Sequence, residues 1–399
     1  MRLQLDWLTK FLLSCLGLAL LTYEAAGLAA PPPEPDDIGV VDAQDPSVPK
    51  RGVRANVELH ESVYADTDLT YVSTSVVNGS VTGKSSGVTF HGSYMIDALS
   101  SASVDVLSSA SQGWIERRQV GSVGAGIERG QWQADAGYAY SIESDWESHT
   151  GTATLGRDFN SRNTNLSLGY FLVDNRIGHS RDPSVNEAML TNALNLSLTQ
   201  VLGKRTTSRF TAFYSHNKGF LSSPYRLIPV GRGALANCRN DAPCVAEVHP
   251  GVRHRFAAQA TIGHFIPRRR DQSLFASYRL YGDDWGVFSH TLDLYYRVQL
   301  SERWVMRLQS RTYFQDSARF YRPAYDAEER YMSADRELST FIHQMAGLKL
   351  TRQSRPLGPR GARLSFDMKL DVSTFRFFNF PRLPLRLSAV GEVGLRLAF

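Results

Sequence analysis

The sequence predicts an all-β fold: a transmembrane, antiparallel, up-and-down β-barrel of about sixteen strands that follows a cleaved N-terminal signal peptide. Three observations support this. The chain opens like an exported protein, and residues 386–399 alternate strictly and end on Phe399. Between them runs a series of alternating segments whose links are short on one side and long on the other.

Residues 1–30 read as the signal. Arg2 and Lys10 form a basic n-region, 11–22 an apolar h-region, and Gly27, Leu28, Ala29 and Ala30 a small-residue cleavage site. Leu12-Leu13-Ser14-Cys15 superficially resembles a lipoprotein box, but most of the apolar run follows Cys15, which argues against lipidation. Residues 31–51 are Pro-rich and acidic (Pro31, Pro32, Pro33, Glu34, Pro35, Asp36, Asp37) and cannot bury a core. They predict a disordered periplasmic lead, a linker rather than a docking peptide. Residues 52–399 are the expected barrel.

Within that region the strands follow in order. Segments 54–66, 69–81 and 86–97 precede a long link at 98–114, and 115–128 passes through the tight Glu128-Arg129-Gly130-Gln131 turn into 131–143. Segment 147–158 turns at Asn160-Ser161-Arg162 into 163–173, and a link at 174–187 leads to 188–202. Gly203-Lys204-Arg205 joins this to 206–217, and the long 218–251 link follows. Segments 252–265, 271–283 and 287–300 come next, and Ser301-Glu302 turns into 303–316. After a link at 317–336, segments 337–352, 361–372 and 386–399 complete the set. Short periplasmic turns and long extracellular loops are the asymmetry of outer-membrane barrels, and an even strand count returns Phe399 to the periplasm.

Alternation is clean within strands, because a two-residue period sends successive side chains to opposite faces. Trp304, Met306, Leu308 and Phe314 oppose Arg303, Arg307, Gln309 and Arg311; Leu364, Phe366, Met368 and Leu370 oppose Arg363, Ser365, Asp367, Lys369 and Asp371. Leu387, Ala389, Val393, Leu395, Leu397 and Phe399 oppose Arg386, Ser388, Glu392 and Arg396. An aromatic end to such a strand resembles the segment that barrel-assembly machinery recognises, so that machinery is an expected partner through Phe399. Trp114, Trp132, Trp146, Trp285 and Trp304 fall near strand ends, where interfacial girdles belong.

Composition agrees. Beyond the signal no run reaches the roughly 20 apolar residues that a membrane helix needs. A mean hydropathy of −0.26 suits a barrel that hides polar side chains in its lumen. The net charge of +5 is spread through alternating strands, which indicates lumen lining and contact with anionic lipopolysaccharide rather than nucleic acid. Cys238 and Cys244 share one polar loop of an exported chain, which predicts a local disulfide; two cysteines without well-spaced histidines predict no metal site.

A short repeat stands out. Asp97-Ala98-Leu99-Ser100-Ser101-Ala102-Ser103 recurs as Asp105-Val106-Leu107-Ser108-Ser109-Ala110-Ser111. Asp97 and Asp105 suit a constriction at the barrel mouth that pairs with lumen arginines; a Ca²⁺ site is the alternative. With this repeat the chain resembles an uncharacterised outer-membrane family, domain-of-unknown-function family 3570. The resemblance rests on Asp-x-x-Ser-Ser-Ala-Ser-x-Asp at 97–105, then Gly219 through Arg226, then Asp284-Trp285-Gly286 with His290-Thr291. Ser301-Glu302-Arg303-Trp304 and Asp335 through Phe341 follow in the family's order. The Cys238–Cys244 loop and the polar link at 353–360 depart from it. The resemblance implies an outer-membrane barrel that travels with small lipoproteins, thioredoxin-like proteins and flavin-transferring enzymes, so a periplasmic lipoprotein or thioredoxin-like partner is an expectation.

No cofactor is expected. There is no Cys-x-x-Cys-His haem site and no Gly-rich phosphate loop. No motif brings Ser, His and Asp together, and Asp283-Asp284 reads as a hairpin tip rather than a catalytic pair, so the chain is not expected to be an enzyme. The lumen is the strongest functional feature. Arg279, Arg297, Arg303, Arg307, Arg311, Arg363, Lys369 and Arg396 are expected to line it, with Arg253, Arg255, Lys349 and Arg386, against fewer acids. Rings of Arg and Lys select anions. The expectation is an outer-membrane pore or export channel for small anionic solutes. The alternatives are a scaffold barrel that holds redox partners, its lumen stiffened by Arg–carboxylate pairs, and, last, a surface enzyme.

Overall fold

The computed structural model describes residues 52–101, 114–236, 238, 243–268, 270–358 and 361–399. The expected signal at 1–30 and lead at 31–51 lie outside the described residues, as does Asp105. Hydrocarbon offers backbone groups no hydrogen-bond partner, so strands that cross it must pair on both edges. The chain meets that demand by closing one sheet on itself.

The strands are β1 (Val53–Asp66), β2 (Thr70–Gly83), β3 (Val88–Ser101), β4 (Trp114–Arg129), β5 (Trp132–Ile142) and β6 (Trp146–Phe159). Then come β7 (Thr164–Ile177), β8 (Glu187–Gly203), β9 (Thr206–Gly219), β10 (Leu227–Pro229), β11 (Cys244–Ala246) and β12 (Val252–Ile266). The last are β13 (Gln272–Asp283), β14 (Phe288–Gln299), β15 (Trp304–Gln315), β16 (Phe341–Gln353), β17 (Arg363–Phe377) and β18 (Leu385–Ala398). Among the described residues, sixteen of these form a closed barrel in chain order. The short β10 and β11 make a separate hairpin, so β9 pairs directly with β12. Closure is antiparallel, β1 against β18, with Glu58 opposite Arg396 and Ser62 opposite Glu392.

Strand boundaries shift where local chemistry competes. The segment expected as strand from 337 begins only at Phe341, because Arg336–Leu338 form a 3-10 turn whose cap, Asp335, accepts from the Glu337 amide at 2.9 Å. Strands β7 and β17 run further than expected, to Ile177 and Phe377, because their alternation continues past the polar residues that suggested turns. At the tight turn after β6, Asn160, Ser161 and Arg162 all have positive φ (51–68°), which few residues other than Asn and Gly adopt easily.

The exterior is an apolar band: Leu166, Leu168, Leu172, Leu194, Leu196, Leu292 and Leu294 all stand exposed on outward positions. Trp132 and Trp304 project outward at the short-turn end, the periplasmic end by barrel asymmetry. Toward the long-loop end, outward Tyr138, Tyr214 and Tyr278 pair with His149, His254 and His290 at 2.6–3.0 Å. Two expected girdle tryptophans lie elsewhere. Trp285 is buried among Val287, Ala318, Tyr321 and Leu338 in the extracellular loops. Trp146 has inward parity and donates to Asn175 Oδ1 at 3.0 Å.

Inside, burial is graded along the axis. In the extracellular half, inward Tyr64, Thr191, Ser215 and Asn217 are buried. In the periplasmic half, inward Glu58, Thr154, Arg297 and Lys349 remain partly or fully exposed. The lumen is therefore most densely packed toward the outside; toward the periplasm exposed inward positions are interspersed with buried ones, Arg307, Asp158 and Asp367.

Placing a cation on the lipid face by Leu294→Arg is expected to cost about 2–4 kcal/mol. Thr154→Arg, on an exposed lumen position opposite Asp135, is expected to stay within about 1 kcal/mol. Denaturant titration of the barrel folded into vesicles, read by fluorescence, checks both.

Candidate functional site

Inward positions divide the lumen into two walls. Strands β5 to β8 contribute mainly small or hydroxyl side chains, among them Gly137, Ser141, Thr150, Thr152, Thr154 and Ser197. Strands β12 to β18 contribute long charged ones. Charges at bilayer depth are costly on the lipid face of such a sheet, so the strand parity that built the barrel also gathered most of them inside.

The register then aligns them. Arg297 on β14 lies opposite Arg307 on β15, Arg307 opposite Lys349 on β16, and Lys349 opposite Lys369 on β17. Neighbouring strands are about 4.8 Å apart, and like charges directly opposite one another repel. This unbroken basic row across adjacent strands is held by its surroundings. The Arg307 guanidinium lies 5.7 Å over the Tyr295 ring, and Lys369 Nζ stands 3.4 Å from Asp371 and 3.5 Å from Glu392. Arg297 stays partly exposed to the lumen.

Above the row, bases are matched by acids. Arg311 donates to Asp293 Oδ1 at 2.6 Å, and Arg253 to Asp283 Oδ2 at 2.5 Å while lying 4.1 Å over Trp285. Arg386 stacks 4.0 Å over Phe375, with Glu337 at 3.8 Å and Asp66 at 4.0 Å. Arg279, Arg253, Tyr281, Tyr313, Gln315 and Glu337 surround a cavity of about 30 Å³, room for roughly one water.

The extracellular mouth is covered by a cap built from the β9–β12 and β15–β16 loops. Ile228, Tyr325, Met332 and Ala334 form its apolar centre. Beside it Glu247 is fully buried, accepting from Ser333 Oγ at 2.5 Å with His249 Nε2 at 3.2 Å and Arg226 at 3.5 Å. Arg226 also reaches Asp335 at 2.5 Å, so one guanidinium ties the two loops together. Burial alone raises the Glu247 carboxyl, but Arg226, His249 and Ser333 outweigh it and hold the group down at about 2. Arg336 pairs with Asp68 in the β1–β2 link, which anchors the cap to the far edge of the sheet. Cys238 and Cys244 are bridged, with Cα atoms 5.7 Å apart.

The residues singled out from sequence divide by position. Arg279, Arg297, Arg307, Arg311 and Lys369 stand on inward strand positions. Arg303 does not belong to a strand ladder: it lies in the turn before β15. The β15 arginines have no acid on their own strand, but the register sets Asp293 of β14 opposite Arg311. Reading one strand at a time misses a partner that only register supplies. Arg363 is exposed at the periplasmic start of β17, and Arg396 bonds Glu58 Oε1 at 2.6 Å near that rim. Asp97 accepts from Arg118 Nε and Nη2 at 3.0 and 2.9 Å, the arginine pairing that the constriction reading required. A carboxylate trio nearby, Glu116, Glu143 and Asp145, has ligand atoms within 4.8 Å of one another, and Arg118 stands 3.7 Å from Glu143. Glu247 was not singled out from sequence, since nothing marks one loop carboxylate as buried, and Arg226 stood out only as the end of the 219–226 motif.

The family described as "Protein of unknown function (DUF3570)" matches residues 108–366. No curated protein matches the chain. Among solved structures, a bacterial polysaccharide outer membrane secretin is 10% identical with a TM-score of 0.45, covering 86% of this chain and 97% of its own. The outer membrane protein OpdK from Pseudomonas aeruginosa is 9% identical with a TM-score of 0.43, covering 87% and 99%. A loop-deletion mutant of OmpT from Vibrio cholerae is 7% identical with a TM-score of 0.43, covering 88% and 100%.

Removing the buried carboxylate by Glu247→Ala leaves Arg226 with Asp335 alone and takes the acceptor from Ser333, and is expected to destabilise the cap by about 1–3 kcal/mol. Because the Glu247 carboxyl is depressed when folded, its contribution is present above the unfolded value of 4.5 and is lost as pH falls toward about 2. Amide exchange across residues 220–251 and 316–340 should therefore speed up between those limits, and Glu247→Gln should remove that pH dependence.

Proposed function

The chain belongs to the DUF3570 family, and from that premise and the lumen just described we propose that it is an outer-membrane pore for small anionic solutes. The observation that supports this best is the Arg297–Arg307–Lys349–Lys369 row on one wall of the periplasmic half. A row of cations in a low-dielectric tube concentrates anions and repels cations. The facing wall is mainly Ser, Thr and Gly, which keeps the passage wide and offers hydrogen bonds to a polar solute; of its inward carboxylates, Asp135 is paired with His91 at 3.0 Å and Asp158 is buried. A solute that carries a carboxylate or phosphate and several hydroxyls fits both walls.

A second reading has its own observation. The packed extracellular half, with Arg253–Asp283, Arg311–Asp293 and the Glu247 cluster all neutralised internally, suits a barrel closed at rest. Such a barrel would act as a scaffold for periplasmic partners, a lipoprotein or thioredoxin-like protein among them, or would open only when the cap moves. Neither reading gives the chain a catalytic role.

The deciding experiment is planar-bilayer recording of the refolded barrel under a KCl gradient. The pore reading expects stable openings with an anion-selective reversal potential. Replacing Arg297, Arg307 and Lys349 together by Gln is expected to move the reversal potential toward zero at nearly unchanged conductance. A folded barrel that stays silent, and stays silent after Glu247→Ala loosens the cap, would exclude the pore and leave the scaffold.

A further inference from the structure

The outward face holds a group that the pore reading does not use. On β1, Glu61 has outward parity with Leu59 and Val63. It lies midway between Ala55, which exchanges backbone hydrogen bonds with Phe399 at the periplasmic edge, and Ala65, opposite Tyr71 toward the extracellular edge. Its carboxylate accepts from Ser75 Oγ at 2.5 Å and from Ser73 Oγ at 3.2 Å, both outward on β2. Other outward charges, such as Arg157, Arg352 and Glu147, stand near strand ends, where headgroups and water reach. Among the described residues Glu61 alone stands at mid-depth of the band. An ionised carboxylate has about four acceptor sites, and hydrocarbon supplies no donor for those two serines leave unused.

The same sector carries the complementary chemistry at its other edge. Thr312, Gln344 and Thr374 lie side by side on outward positions of β15, β16 and β17, opposite one another in the register. Ser310, midway between Trp304 and Phe314, sits at the mid-depth that Glu61 occupies. Between the two edges Ala65, Ala346 and Ala389 are so small that the wall is hollowed by about 710 Å³. On β7, β8 and β14 the outward band is mainly leucine; β4 to β6 also present small outward residues, Gly121, Ala136, Gly151 and Ala153, but no mid-depth carboxylate stands among them. Small side chains that allow close approach, with polar groups able to bond across, are what membrane-embedded protein contacts use.

We propose that a second copy of this chain docks on this sector within the bilayer, the Glu61 edge of one barrel against the Ser310–Gln344 edge of the next. The occupant must lie at bilayer mid-depth, so it is itself membrane-embedded. It must bring hydroxyl or amide donors to Glu61 and a carboxylate to the Ser, Thr and Gln edge. One barrel carries both halves in one sector, β1 and β2 on one side of β18 and β15 to β17 on the other. A rotation about the membrane normal keeps every residue at its own depth, so copies related in that way match acceptor to donor. The interface is independent of whether the lumen conducts.

The test uses the full-length barrel in vesicles. Ser75→Cys combined with Ser310→Cys places one thiol on each edge, and mild oxidation is expected to yield covalent multimers of folded barrels. Leu168→Cys with Leu274→Cys, outward on β7 and β13 and too far apart to bridge within one barrel, is expected to yield monomers. Native mass spectrometry of the wild type should show a multimer, and Glu61→Leu and the milder Glu61→Gln should weaken self-association roughly tenfold while the β content stays unchanged. Wild type that is monomeric throughout would overturn the proposal. So would equal cross-linking of both thiol pairs, a multimer indifferent to Glu61, or a different membrane protein occupying the sector.

Discussion

Everything in this barrel depends on the absence of hydrogen-bonding solvent in a bilayer. An unpaired amide or carbonyl costs several kcal/mol in hydrocarbon, so the β1 edge and the β18 edge must find each other. Once the sheet is closed it has only two faces, and the two-residue period of a strand leaves each side chain no other choice. Slipping one strand by one residue would send a whole set of charges into lipid. The register is therefore held as firmly by the cost of exposing Arg307 or Lys369 to acyl chains as by the backbone bonds themselves.

The electrostatics of the lumen follow from that constraint. Parity delivers the charges inward, but the alignment of neighbours decides which of them meet. Near the periplasmic end the register sets Arg297, Arg307, Lys349 and Lys369 abreast, with Asp371 and Glu392 beside Lys369 offsetting part of that charge. A few residues higher on the same strands it sets Asp293 against Arg311, and the field there is quenched. The cap continues the quenching: Glu247, with no water to solvate it, is held ionised by Arg226 and His249. Basic residues thus gather on one wall of the periplasmic half, and the mouth above is packed and internally paired.

The exterior shows the same rule through its exception. Where the band is leucine the barrel meets lipid. Where it turns to alanine, serine, glutamine and one glutamate, lipid is a poor neighbour, and the side chains are arranged as protein surfaces are when protein covers them.

From the sequence alone the fold was legible almost to the strand. Alternation in stretches such as 303–315 and 361–372, and the contrast between the Ser301-Glu302 turn and the 218–251 loop, are local properties of the chain, and barrel geometry follows from them. The inward direction of Arg279, Arg307 and Lys369 was legible for the same reason. What the chain could not disclose was anything set between strands: that Asp293 stands beside Arg311, that Arg303 has left its ladder for a turn, that Trp285 serves the cap rather than the interface. Nor does any local pattern mark Glu247 as buried or Glu61 as facing lipid, since in each case the reason lies in residues far away in the chain. Period and turn chemistry are one-dimensional and belong to the sequence; pairing, burial and field are properties of closure, and only the tertiary structure decides them.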